Sequence, residues 1–139
     1  MRIKIILAAF GFLIGSGPVL ADDLTGSRSF LCAASTAAKC THDGECLVDE
    51  PWIFNIPDFV VVDLKAKVIG TTEASSETRE AAIQNMERTD GLIVLQGMQN
   101  RRAWSWVIDE LTGEGVMSFA DEERAVAIFG ACTPLEKLK

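Results

Sequence analysis

The chain has 139 residues, 48% of them hydrophobic and 24% charged, with four Cys, one His and no Tyr. That describes one domain and excludes repeat arrays and long disordered tails. Its 20 acidic against 13 basic residues give a formal charge of -7, which argues against nucleic acid or anionic lipid as partners, because both reward clustered Lys and Arg.

Arg2 and Lys4 precede an apolar run from Ile5 to Ile14, Gly15-Ser16-Gly17-Pro18 breaks any helix, and Val19-Leu20-Ala21 offers small residues for a signal peptidase. Residues 1–21 therefore read as a secretory signal peptide. Residues 22–139 read as a single β-rich domain, periplasmic or secreted, that leaves the membrane once the leader is cut. The apolar run is about half the length needed to cross a bilayer. Cleavage takes two positive charges and no negative ones, deepening the net charge to -9.

Cys32 falls in the first expected strand, and Cys40 and Cys46 flank the polar connector Thr41-His42-Asp43-Gly44-Glu45. From Pro51 onward, turn-forming residues recur about every 8 to 12 positions and the pieces between them alternate with period two, the pattern of an antiparallel meander. Trp52-Ile53-Phe54 reads as an edge strand, followed by Pro57, which cannot donate to a ladder. Phe59 to Ile69 reads as one strand, with Val60, Val62, Leu64, Ala66 and Val68 facing the core and Val61, Asp63, Lys65 and Lys67 facing water. Ser75 to Arg88 fits either a helix capped at Ser76 or a strand over Ile83 to Met86. A strand continues the meander, whereas a helix needs a separate apolar surface to cover, so the strand is preferred.

Asp90-Gly91 supplies a tight turn into Leu92 to Gln96, and Asn100-Arg101 makes the next reversal. In Arg102 to Asp109, Trp104, Trp106 and Ile108 share one face. Val116 to Ala120 follows the turn Thr112 to Gly115. After Asp121-Glu122-Glu123, Ala125 to Phe129 is apolar on both faces, which marks a central or closing strand. The expected fold is mainly β, a single antiparallel meander forming a small barrel or sandwich stapled by two disulfides.

Four Cys allow three pairings, and an exported chain oxidises its thiols. Cys40 with Cys46 is favoured because the short Gly-containing connector brings them into bridging range. Cys32 with Cys132 then remains, closing a loop of roughly 100 residues worth up to ~4.7 kcal/mol in the chain-entropy model. A metal site from Cys32, Cys40, His42 and Cys46 is the competing reading, but these spacings are far from the tight pairs zinc sites use. No Cys-x-x-Cys suggests redox chemistry, and no metal or cofactor is expected.

Phe30-Leu31-Cys32-Ala33, the Cys40 to Cys46 loop, Val62-Asp63-Leu64-Lys65, Leu95-Gln96-Gly97, Ala103-Trp104-Ser105 and Phe129-Gly130-Ala131-Cys132-Thr133-Pro134 together resemble a group of small exported proteobacterial proteins of unknown function. The likeness spans nearly all of the mature chain. It implies an exported β-rich domain and carries over no catalytic or binding residue. A looser, architectural likeness is to periplasmic lysozyme inhibitors of the small eight-stranded barrel type, which also place one Cys near the first strand and one at the end. Those plug the enzyme with a Ser-Gly-x-Arg-Tyr loop, and this chain has no Tyr.

The sole His, His42, sits inside the expected disulfide loop, where a solvated residue is the simpler reading than a catalytic base. Asp109-Glu110 and Asp121-Glu122-Glu123 could be cast as acid and base, yet adjacent acids in turns are ordinarily solvated. Asp43, Glu45, Asp49 and Glu50 lack the loop pattern of a calcium site. The most suggestive feature is Arg101, Arg102, Trp104 and Trp106, a candidate patch for a periplasmic or extracellular protein or a small ligand, whose indoles would contact the partner and whose guanidiniums would meet its acids. The competing reading is that both indoles fill the core. The expected function is therefore binding or inhibition without catalysis; a carboxylate-dependent hydrolase or an envelope structural accessory is the alternative.

Overall fold

In the computed structural model, residues 23–138 are described; the expected signal peptide lies outside them. Ten strands form one antiparallel sheet: β1 (Ser29–Thr41), β2 (Cys46–Asp49), β3 (Phe59–Asp63), β4 (Val68–Thr71), β5 (Glu80–Ala82), β6 (Asn85–Thr89), β7 (Leu92–Gln99), β8 (Arg102–Asp109), β9 (Glu114–Ala120) and β10 (Arg124–Pro134). Their spatial order is β5-β4-β3-β1-β10-β9-β8-β7-β6, with β2 laid beside the upper part of β1. The last strand is central, pairing with the first along Phe30 to Thr41 and with β9 on its other side.

The sheet curls into a half-barrel, and its two ends approach each other along Glu80 to Thr89. That stretch pairs with β4 through Glu80–Ala82 and with β7 through Asn85–Thr89. Between the two ladders, the Ile83 amide bonds the Lys67 carbonyl and the Gln84 amide bonds the Gln96 carbonyl, each at 2.9 Å. Ser75 to Arg88 thus holds strands and no helix. The backbone groups at both sheet ends find partners there, which a surface helix would have left open.

Register stacks the inner face in rows. Ala34, Gly130, Gly115, Ile108 and Ile93 are consecutive cross-strand partners, and Ala37, Ile128, Met117, Trp106 and Leu95 form the row above. Above that come Lys39, Val126, Phe119, Trp104 and Gly97. Below lie Phe30, Val62 and the Cys32–Cys132 disulfide, and Leu24 plugs this end with its side chain fully buried. The Leu24 amide bonds the Glu110 carbonyl at 2.8 Å, and Arg88 ties the plug down through the Ser27 carbonyl at 2.6 Å. Packing this end removes the large apolar side chains from water, at about 25 cal/mol per Å².

Both expected disulfides are present, Cys32–Cys132 between adjacent strands and Cys40–Cys46 across β1 and β2. Two sequence expectations need correction. Trp52-Ile53-Phe54 is not an edge strand but part of a 3-10 helix, Pro51–Phe54. Pro51 supplies its first residue, and Asn55, at φ 58°, ends it by donating its amide to the Trp52 carbonyl. Phe59 to Ile69 is not one strand but a hairpin. Asp63 Oδ1 accepts from the amides of Lys65 and Ala66 at 2.9 Å each, Lys67 takes φ 55°, and Ile69 returns opposite Val62. The alternation ran unbroken through the turn because Leu64 is buried there as well.

Candidate functional site

The end opposite Leu24 is open. Its cavity, of about 570 Å³, is lined by inner-face residues of β1, β5 and β7 to β10, with Ile53 to Pro57 as one wall. That volume lies within the range of small-molecule sites. Trp104, Met117, Phe119, Val126 and Ile128 form an apolar lining. Trp104 lies flat against β7 because Gly97 opposite has no side chain; a Cβ there would fall 2.5 Å from Trp104 Cζ2 and 2.8 Å from the Ala82 carbonyl oxygen. The indole is only 7% exposed, and its Nε1 has no hydrogen-bond partner among the described residues.

Four cations line this cavity: Lys39, Arg79, Arg102 and Arg124. No Asp or Glu appears among its described lining residues, although the chain has 20 acids against 13 bases. Arg102 and Arg124 share one carboxylate oxygen, Asp121 Oδ2, at 3.3 and 3.4 Å from their Nε atoms. Asp121 Oδ1 accepts from the amides of Glu123 and Arg124 at 3.0 Å each. Led by the Glu123 amide, with further help from the Arg124 amide and charge and from Arg102, these bonds hold its carboxyl below the ordinary Asp range. Arg102 also lies over the Phe119 ring, 5.8 Å from its centroid. Arg79 bonds Asn55 twice, through its carbonyl at 2.6 Å and its side-chain oxygen at 2.8 Å, and pairs with Glu77. Lys39 has no ion pair among the described residues, and its backbone sits one row below Arg124.

The structure separates the four residues singled out in the sequence. Arg102 and Trp104 line the cavity, Trp106 lies in the filled row beneath, and Arg101 points away on the β7–β8 turn, paired with Glu122 at 2.9 Å. Trp104 and Trp106 are both buried on the inner face, so the indoles serve as core bulk and the upper one also faces the cavity. Lys39, Arg79 and Arg124 were missed. They come from three distant stretches, and only the register of β1 with β10 brings Lys39 near Arg124. The period-two pattern of β1, carried past its bulge between Ala34 and Thr36, would have assigned Lys39 to the outer face.

Neither a protein-family model nor a curated protein sequence matches the chain.

The other candidates serve local structure. Asp109 is a turn cap, accepting from the amides of Leu111 and Thr112 and from the Thr112 hydroxyl, and those bonds, the Thr112 amide first, lower its pKa. Glu110 pairs with Arg88 at 3.1 Å. Asp43 accepts from the Thr41 hydroxyl and Glu50 from Trp52 Nε1. His42 is exposed, and Cys32, Cys40 and Cys46 are in disulfides, so their sulfurs are not thiolates. A broader, shallower hollow of about 660 Å³ covers the outer face, where Val107, Val116 and Phe129 form an exposed cross-strand row.

Proposed function

We propose that the chain is an exported, non-enzymatic binding protein that takes a small ligand in the mouth of the half-barrel. The observation that carries this reading is the cavity itself, apolar below and polar at its rim, left open where the opposite end is plugged by Leu24. Two of the carboxylates that could be cast as acid and base are ill suited to the acid's role. A general acid at neutral pH needs a raised pKa, whereas Asp109 and Asp121 are lowered by the amides they cap.

A neutral fluorescent probe, N-phenylnaphthylamine, tests the reading. The folded protein is expected to bind it with fluorescence transfer from Trp104, and Ala81→Trp, which fills the cavity from β5, to abolish binding while circular dichroism stays that of the parent. Unchanged binding in a folded Ala81→Trp protein removes the mouth as the site.

A partner protein is the second reading. Trp52, Ile53 and Phe59 are 61%, 44% and 50% exposed beside the mouth, more apolar surface than scattered residues would present. Such a partner would be lost on Trp52→Ser with probe binding unaffected.

A further inference from the structure

We propose that the mouth recognises the carboxylate head of an amphiphilic acid whose hydrocarbon chain lies on Trp104, Met117 and Phe119. The inference deepens the small-ligand reading above and rests on it.

Charge placement is the first ground. In an acidic chain, four cations and no described acid line one cavity. Such a bias makes the potential in the cleft positive and draws anions to it from solution. Arg79 is already matched by Glu77, and Arg102 and Arg124 share Asp121, so three cations (Lys39, Arg102, Arg124) face a single carboxylate and a net positive charge is left over. Lys39 is the least satisfied of them. It occupies the same row as Trp104, Phe119 and Val126, and no carboxylate of the described residues pairs with it. An ammonium at an apolar wall is stabilised by an incoming anion more than one in open water, because the local dielectric is lower.

Asp121 supplies the second ground. It shows that one carboxylate fits between Arg102 and Arg124, with a single oxygen serving both Nε atoms and the other oxygen engaged by amides. The remaining N–H groups of two forked guanidiniums stay available to a second acid, and Arg presents these donors in a geometry suited to carboxylates. Val126, Phe119 and Trp104 lie in the row of Lys39, and Ile128 and Met117 in the row below. With no hydroxyl, amide or carboxylate among those side chains to meet a sugar ring, the part of the ligand that reaches them is hydrocarbon.

The test compares four molecules with the same tail on the full mature chain, below their micelle concentrations and at low salt: dodecanoate, dodecyl phosphate, dodecanol and dodecyltrimethylammonium. Titration calorimetry is expected to rank dodecanoate first, about tenfold tighter than dodecanol, the effect of one charge-assisted hydrogen bond, with the ammonium weakest. Lys39→Met keeps the apolar stem and should weaken dodecanoate about tenfold while leaving dodecanol unchanged. Asp121→Asn keeps the oxygen that caps Glu123 and Arg124 and removes the competing charge, so it should tighten dodecanoate. Dodecanol binding as tightly as dodecanoate overturns head recognition and leaves the cavity reading intact. Dodecyl phosphate binding first overturns the carboxylate assignment. No binding by any of the four overturns the amphiphilic-acid assignment, and the naphthylamine probe decides separately whether the mouth takes a small ligand.

Discussion

The two ends of the half-barrel use the same inner face for opposite purposes. At the closed end Leu24, Phe30, Val62, Ile93 and Ile108 are fully buried and a disulfide joins β1 to β10. At the mouth the same strands present Lys39, Arg102 and Arg124 beside the cavity. The same ladders run to both ends, and the bulge in β1 between Ala34 and Thr36 lies between them, so the ends differ in their side chains and in which of them that bulge turns inward. Filling the inner face supplies the stability that lets the other end stay open, since an unfilled cavity forfeits contact energy that a small domain must gain elsewhere.

The largest expected effect is at the closed end. Phe30→Ala should cost about 3–5 kcal/mol in denaturant unfolding, because the ring is fully buried, with probe binding at the mouth unchanged wherever the protein is folded. Equal damage to binding would mean the two ends are not separable. Removing Cys32–Cys132 with a double Ala substitution should cost about 2–5 kcal/mol. Removing Cys40–Cys46, with a sequence separation of 6 rather than 100, should cost less, since the constraint on the unfolded chain grows with loop length. Thermal melts of the two variants give the ratio.

Gly97→Ala sharpens the comparison from the mouth side. The added Cβ meets both the Trp104 ring and the Ala82 carbonyl, so about 1–3 kcal/mol of stability should be lost, and Trp104 must move, shifting its emission and weakening the probe. Acid has a smaller effect. Asp43, Asp109 and Asp121 are all lowered below 3.8 in the folded chain. Their contribution is therefore present above 3.8 and lost as the pH falls through the folded values. Denaturant midpoints should be flat through neutral pH and decline below about pH 4, and Asp109→Asn should remove part of that decline. The least effect is expected at Arg101, whose ion pair with Glu122 is exposed on both sides. Arg101→Ala should change stability by less than about 1 kcal/mol and leave dodecanoate binding intact.

Much of this architecture was legible in the chain. The bounds and buried face of Arg102 to Asp109 are legible because its bulkiest residues, Trp104, Trp106 and Ile108, recur at every second position. Asp90-Gly91 and Asn100-Arg101 announced their turns, and all four positions take positive φ. The cysteine pairing followed from the short connector. The Phe59 to Ile69 hairpin was not legible, because Leu64 and Ala66 kept the strand period through the turn and the deciding bonds come from Asp63 Oδ1. Nor was the Pro51–Phe54 helix, where an apolar triplet looked like a strand until Asn55 turned it.

By itself the sequence determined the β class, most strand faces and the covalent staples, since period-two alternation, turn residues and short cysteine spacing are local signals that need no knowledge of distant neighbours. Only the tertiary structure decided where the sheet ends come together and which cations share the mouth. Register and the bulge in β1 bring Lys39 beside Arg124, Asp121 joins Arg124 to Arg102, and Asn55 holds Arg79 at the same rim; register is set by long-range packing that no single window of residues contains.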